Sequence, residues 1–331
     1  MNSLNEGLIL FNSDNPANPD SDNLQTIPTH FHFNIKGFCM NSTTSLQLIS
    51  SRAELHTALN QWRVLGHRIA FVPTMGNLHA GHLQLVEQAL QHADRVVISI
   101  FVNPLQFGAS EDFESYPRTL AADQEKLNSV LQGREAILFL PQIAEMYPDG
   151  MENSTRVEVP HVSDILCGAS RQGHFIGVAT VVMKLFNLVR PEVALFGEKD
   201  FQQVQVLKRM VQDLFLPLQI ISVPTMRETD GLAMSSRNGY LTAEERDVAP
   251  YLYQVLNTVK QQLLAGERDF TALENHAAQL LAAHSFIPDY ISIRNAETLQ
   301  PAQQGDNKLV ILAAAKLGKP RLIDNLQVNL N

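Results

Sequence analysis

Cysteine is almost missing: Cys39 and Cys167 are the only two in the chain, and neither sits in a metal-type spacing. Thiols so placed build neither a disulfide framework nor a zinc site, and they suit a reducing cytoplasm. Long apolar runs are missing as well. Hydrophobic residues make up 45% of the chain, yet no run approaches the roughly 20 residues of a membrane-spanning helix. Basic residues are outnumbered, 25 Lys and Arg against 34 Asp and Glu, for a formal net charge of −9. That balance argues against nucleic acid as a partner and leaves room for a local basic pocket fitted to a small phosphorylated ligand. Internal repeats, low-complexity tracts and a nucleophile motif are also absent from the sequence.

What is present divides into three parts. Residues 1–39 are rich in Asn, Asp, Pro and Ser, carry one short apolar run, LILF, and hold no Lys or Arg before Lys36. A secretory signal needs a basic start and a longer apolar core, and a transit peptide needs arginines. Residues 1–43 are therefore expected to be a disordered extension. It is either a genuine tail or the result of a start codon read too early, with Met40 as the initiator. From Ser51 the pattern becomes regular. Ser51 and Glu54 have capping-box spacing ahead of a helix to about Leu65. The runs RIAFV (68–72), VVISIFV (96–102), AILFL (136–140), VALFG (193–197) and LQIISV (218–223) are buried strands, and RVEV (156–159) is a further candidate. Helices are expected from about Thr119, over 174–189, and over 201–214, where apolar residues recur at 201, 204, 207, 211 and 214. Buried strands alternating with helices predict a doubly wound, Rossmann-like parallel sheet over residues 44–226. Beyond it, Thr242 and Glu245 open a helix to about Leu264, a second helix covers 270–283, and DYISIR, LVILAAA and RLIDN read as strands. Residues 227–331 are thus expected to form a smaller α+β domain.

The stretch VPTMGNLHAGHLQLVEQA (72–89) joins a buried strand to an amphipathic helix through two glycines and two histidines. In open α/β sheets ligands sit beyond the carboxyl ends of strands, and the unpaired amides of a helix start attract anions. His79 and His82, three residues apart at such a junction, are placed to donate hydrogen bonds to phosphate oxygens. Lys199, in GEKD between a strand and a helix, has a similar position. Asp200 beside it has two readings, ribose ligand or helix cap. Ser235, Ser236 and Arg237 follow the last strand of the nucleotide half, where two hydroxyls and a guanidinium suit a mobile clamp on a leaving phosphate.

His79-Ala80-Gly81-His82 resembles the HIGH signature of the nucleotidyltransferase superfamily. PTMGNLHAGH (73–82), FVNPLQFG (101–108), DFESYPRT (112–119), RQGHFIGVATVV (171–182), LFGEKDFQQ (195–203) and DGLAMSSRN (230–238) resemble, in order and spacing, the pantothenate synthetase (pantoate–β-alanine ligase) family. The likeness runs from about residue 46 to the end. It implies an ATP-dependent ligase that joins pantoate to β-alanine through a pantoyl adenylate, releasing pyrophosphate and then AMP. The substrate carboxylate is the nucleophile, which explains the missing nucleophile motif.

By the same resemblance, Met75, Gly76, Asn77, Leu78, His79, Ala80, Gly81 and His82 form an ATP-binding loop, with His82 the general acid. Gly197, Glu198, Lys199 and Asp200 form a second nucleotide loop. Met234, Ser235, Ser236 and Arg237 stand where the superfamily has KMSKS, and Met226 contacts adenine through its backbone. Gln106 and Gln203 resemble the pantoate-binding pair, Gln106 also serving β-alanine, with Asn103 and Arg171 as further candidates for that pocket. Phe101, Val102, Phe107 and Val181 are candidates for the wall around the pantoate gem-dimethyl group. Mg²⁺ is implied by the triphosphate, with Asp123 and Glu198 as candidate outer carboxylates and no protein cage evident. The resemblance also implies a homodimer through the N-terminal domain and a C-terminal domain acting as a lid. Two rivals stay open: another nucleotidyltransferase that leaves the nucleotide on its product, and a non-catalytic nucleotide- or RNA-binding module.

Overall fold

A computed structural model describes residues 45–108 and 111–330. The expected extension at 1–43, with Cys39 and Met40, lies outside the described residues. In chain order the elements are β1 (Leu46–Ile49), α1 (Arg52–Val64), β2 (Ile69–Thr74), α2 (Ala80–His92), β3 (Arg95–Ile100), α3 (Leu120–Leu131) and β4 (Ala136–Phe139). Two short helices, α4 (Ile143–Met146) and α5 (Cys167–Ser170), precede α6 (His174–Val189), β5 (Val193–Gly197), α7 (Phe201–Asp213) and β6 (Gln219–Val223). The C-terminal part holds α8 (Ala243–Val248), α9 (Tyr251–Leu264), α10 (Phe270–Ala282), β7 (Ile287–Asn295), β8 (Lys308–Lys316) and β9 (Arg321–Asn329).

β1 to β6 form one parallel sheet in the order β1-β4-β3-β2-β5-β6. Its strands are apolar on both faces because both are covered. Ile69, Phe71, Val97, Ile137, Phe139, Ala194 and Phe196 pack against α1, α6 and α7. Their alternates Ala70, Val72, Val96, Ile98, Leu138 and Leu195 pack against α2 and α3. The strand order reverses between β2 and β5, so a crevice opens beyond the carboxyl ends of those two strands. That topology puts the loop after Thr74 beside the turn after Gly197.

The second sheet is antiparallel, in the order β7-β8-β9. One face, with Ile311 and Ala313, packs on α9 and α10. The other presents Val310 and Leu312 to Leu166 and Phe201 of the parallel-sheet half. Among the described residues, no helix is long and apolar enough to cross a membrane.

Two expectations need correction, and one strand lies outside them. RVEV (156–159) is not a strand. The Val157 amide donates to Thr180 Oγ1 at 2.9 Å, a side-chain partner in place of a ladder, while Val159 is buried against α6. The helix opened by the Thr242–Glu245 capping box stops at Val248, and α9 begins only after Pro250, whose ring has no N–H to continue the bonding. β1, short and half exposed, was not anticipated; it forms the edge of the sheet beside β4.

Candidate active site

At the mouth of α2 the two histidines cap the helix reciprocally. His79 is the N-cap, and its Nδ1 accepts the Gly81 N–H at 3.2 Å. His82 Nδ1 accepts the His79 N–H at 3.3 Å, and the two rings lie 4.1 Å apart between centroids. Nδ1 is the acceptor in both rings, so a neutral imidazole carries its proton on Nε2. Burial pushes His82 down to about 4, with the charges of Lys199 and Lys126 adding to the shift. Burial, then His82 and Lys199, pushes His79 down to about 3. Both rings are therefore neutral hydrogen-bond donors at pH 7 in this state.

The glycines answer for their positions. Gly76 has φ +85, and a Cβ there would stand 3.0 Å from Ile100 Cγ2. A Cβ at Gly81 would stand 3.0 Å from the His79 ring, inside the cap it serves. The rest of the loop is held from outside. Asp123 of α3, buried, accepts the amides of Asn77 at 3.0 Å and Leu78 at 2.7 Å and the Thr119 hydroxyl at 3.2 Å. Lys126 Nζ donates to the Leu78 carbonyl at 2.6 Å.

A cavity of about 230 Å³ opens at the reversal point of the sheet. His79 and His82 line it from the first loop, Gly197, Lys199 and Asp200 from the second, and Met226, Met234, Ser235, Ser236 and Arg237 from the third. The first and third loops are bonded together: Ser236 Oγ donates to the Asn77 carbonyl at 3.1 Å, and Asn77 Nδ2 donates to the Ser236 carbonyl at 3.4 Å. Arg237 is held by Asp112 through two bonds, Nε to Oδ2 at 3.0 Å and Nη2 to Oδ1 at 2.9 Å, with the Tyr116 ring 5.6 Å away.

The deeper wall holds Met75, Phe101, Gln106, Phe107, Val181 and Gln203. Gln106 Nε2 donates to Met75 Sδ at 2.9 Å, and its Oε1 accepts from Asn103 Nδ2 at 3.3 Å. The segment carrying Gln106 lies directly on α6. At Gly177 a Cβ would come within 2.2 Å of the Leu105 carbonyl oxygen.

Several expected residues lie elsewhere. Gly76, Asn77, Leu78 and Ala80 are off the cavity wall; Leu78 is a core residue, 2% exposed. Asn103 is 1% exposed, bonded to the Gly177 carbonyl and the Tyr147 hydroxyl, and supports Gln106 from behind. Val102 is likewise off the wall. Glu198 turns away, its Oε2 accepting from Gln327 Nε2 at 3.2 Å. Both Asp123 oxygens accept amides of the first loop, which makes Asp123 an anchor of that loop. Arg171 reaches the wall, but Glu111 holds its Nε and Nη2 at 2.6 and 2.7 Å and His174 its Nη1 at 2.9 Å. A guanidinium so occupied braces the wall; it has no open edge for a substrate carboxylate. Asp200 lines the cavity and also precedes α7 as its N-cap without a capping side-chain bond, which leaves the cap reading without support.

Four residues of the site had no place among the sequence candidates. Asp112, Tyr116 and His174 lie inside blocks that carry the resemblance, and Lys126 lies just beyond one. Burial and Arg171 push His174 down to about 4.

Three loops thus converge on one cavity at the reversal point of a doubly wound α/β sheet. The profile of the "Pantoate-beta-alanine ligase" family matches residues 47–327. Pantothenate synthetase of Pseudomonas fluorescens (strain Pf0-1) is 56% identical over 286 residues, 86% of this chain and 99% of that protein. That of Azotobacter vinelandii is 58% identical over 277 residues, 84% of this chain and 97% of that protein. Among solved structures, pantothenate synthetase from Thermus thermophilus superposes with a TM-score of 0.78 at 44% identity, covering 85% of this chain and 98% of that one. A pantoate-β-alanine ligase from Francisella tularensis, in complex with an ATP ligand and β-alanine, gives 0.69 at 35% identity, covering 85% and 97%. The chain belongs to the pantoate–β-alanine ligase family.

Proposed function

We propose that this chain forms pantothenate in two steps in the cavity between β2 and β5. A pantoate carboxylate oxygen attacks the α-phosphorus of ATP; the new O–P bond forms as the bond to the β-phosphate bridge breaks, and pyrophosphate leaves. The β-alanine amine then attacks the acyl carbon, loses a proton, and AMP departs with the bridging oxygen.

The observation that carries this reading is the convergence of His79, His82, Lys199 and Arg237 from three loops on one cavity. Two neutral Nε2–H donors, an ammonium and a guanidinium give dispersed stabilisation of charge developing on the triphosphate. Bound triphosphate raises the affinity of both imidazoles for a proton, which suits His82 to act as an acid on the phosphate side. Ser235, Ser236 and Arg237 hold the leaving pyrophosphate, Arg237 exchanging Asp112 for phosphate oxygens. Asp200 accepts from the ribose. Gln106 and Gln203 orient pantoate with neutral amides, which leave its carboxylate nucleophilic, and Gln106 also serves β-alanine. Phe101, Phe107 and Val181 enclose the dimethyl carbon.

Mg²⁺ enters on the triphosphate as part of the substrate. Among the described residues no group of three His, Cys, Asp or Glu forms a cage for it, and a metal that keeps its waters and phosphate oxygens needs none. Residues 44–226 serve as the nucleotide and pantoate domain and 227–331 as a lid. The family resemblance supports a homodimer, which sedimentation tests. The reading as a whole is tested by AMP release with ATP, pantoate and β-alanine omitted one at a time. All three are required; AMP release without β-alanine, or a nucleotidylated pantoate that β-alanine does not discharge, overturns it.

A further inference from the structure

The turn that carries Lys199 is a weak one. Glu198–Asp200 is a single 3-10 turn between β5 and α7, with no side-chain cap of its own. Such turns have poor internal bonding, and their carbonyls need donors from outside. One side chain supplies both. Asn325 Nδ2 donates to the Glu198 carbonyl at 2.8 Å and to the Lys199 carbonyl at 3.0 Å, using its two amide hydrogens on consecutive residues. Asn325 belongs to β9, in the other sheet, 126 residues from Lys199.

Asn325 is itself firmly fixed. It is 5% exposed, in register with Leu312 of β8, and its own amide donates to Asp324 Oδ1 at 2.7 Å. Asp324, 4% exposed, receives both Nη groups of Arg227 at 2.7 and 2.9 Å. Arg227 lies 3.7 Å over the Tyr253 ring and opens a small hairpin, bridged to Ala233, that leads into Met234-Ser235-Ser236-Arg237. The adjacent residues Asp324 and Asn325 therefore tie the bases of two of the three cavity loops to one strand. A buried carboxylate and a buried amide are costly in a sheet that apolar residues would fill. Their partners are loop backbone and loop base, which points to a role in the site.

We infer that Asn325 is a positioning residue for the adenylation step: it sets the Lys199 ammonium against the triphosphate by clamping the backbone on which that side chain stands. The inference rests on the reading of Lys199 as a phosphate contact. Misplacement of about 1 Å in a reacting group costs up to about 100-fold in rate.

The test is a double-mutant cycle in the full chain. Asn325→Ala is expected to lower ATP affinity, measured by calorimetry, at least tenfold, and to lower kcat for AMP release at least tenfold. The KM for β-alanine, which the proposed reading gives to Gln106 and not to Lys199, is expected to stay within twofold. In a Lys199→Ala background the same substitution is expected to change ATP affinity less than twofold. Asn325→Ser, whose shorter polar side chain stops short of the Nδ2 position, is expected to lose nearly as much as the alanine variant, and it carries the cycle if the alanine variant fails to fold. An equal loss of ATP affinity with and without Lys199 overturns the inference, as does a folded Asn325→Ala with unchanged affinity and turnover. If the unmutated chain binds ATP but releases no AMP, the ligase reading fails and the affinity cycle still decides the role of Asn325. If the unmutated chain does not bind ATP, both fail.

Discussion

A single methyl group at Gly177 probes how closely the wall around Gln106 is built. Gly177 lies inside α6, and a Cβ there would meet Leu105 O at 2.2 Å, Leu105 C at 2.5 Å and Gln106 N at 2.7 Å. All three are backbone atoms, so no side-chain rotation relieves the contact. Restoring an ordinary separation moves the 104–106 turn away from the helix by about 1 Å, and Gln106 moves with it. The Asn103 Nδ2 bond to the Gly177 carbonyl, 3.1 Å here, is stretched in the process. Overpacking of this kind costs about 1–3 kcal/mol, which lowers Tm by several degrees. If Gln106 orients pantoate as proposed, its displacement by about 1 Å costs about 100-fold in rate. Gly177→Ala is therefore expected to lower kcat/KM for pantoate by about that factor while ATP affinity changes less, because this turn meets the histidine loop through the Gln106 Nε2 bond to Met75 Sδ and makes no hydrogen bond to His79, His82, Lys199 or Arg237. Steady-state AMP release with pantoate varied, and ATP binding by calorimetry, separate the two. A variant with kcat/KM for pantoate within twofold of the parent would refute the reasoning.

His82→Ala removes the proposed phosphate-side donor and is expected to lower kcat by about 100- to 1,000-fold, with the folded state retained by circular dichroism; a loss below tenfold would remove His82 from the chemistry. Asp123→Ala strands the buried amides of Asn77 and Leu78 and is expected to cost about 2–4 kcal/mol in urea unfolding. It should also raise KM for ATP through the loosened histidine loop, and an unchanged KM would mean that the loop holds its shape without that anchor. The unliganded protein is expected to lose stability as the pH falls from about 6.5 towards 4. In that window unfolded histidines take up protons that His82 and His174, both held down to about 4, do not. The His82 share is of order 3 kcal/mol as an upper bound, so His82→Gln should flatten the pH dependence of the urea midpoint; an unchanged slope would contradict the assigned burial.

Much of this architecture was legible because its signals are local. The Ser51–Glu54 box opens α1 as its spacing requires, and the apolar rhythm after Gly173 continues to the end of α6. Where local signals conflicted, tertiary context decided. RVEV has strand-like residues, but Thr180 takes the Val157 amide. Pro250 divides a pattern that periodicity alone runs together. The histidine–glycine loop could be recognised from four adjacent residues, and the three loops do share one cavity. What the sequence does not display is which charges those loops meet. Asp112 pairs with Arg237 across 125 residues, and Glu111 occupies Arg171 across 60. Asn325 sits in a plain strand run, RLIDN, and its role follows from the packing of one sheet against the other. Spacing along a chain carries capping and periodicity; it carries no record of partners that only the fold brings together.

The central claim is that the pantoate carboxylate, and no protein group, attacks the α-phosphorus. Pantoate labelled with ¹⁸O in its carboxylate, turned over with ATP and β-alanine, tests this most directly by mass spectrometry of the products. The account predicts one labelled oxygen in AMP and none in pyrophosphate. Unlabelled AMP, or label in pyrophosphate or inorganic phosphate, would contradict it.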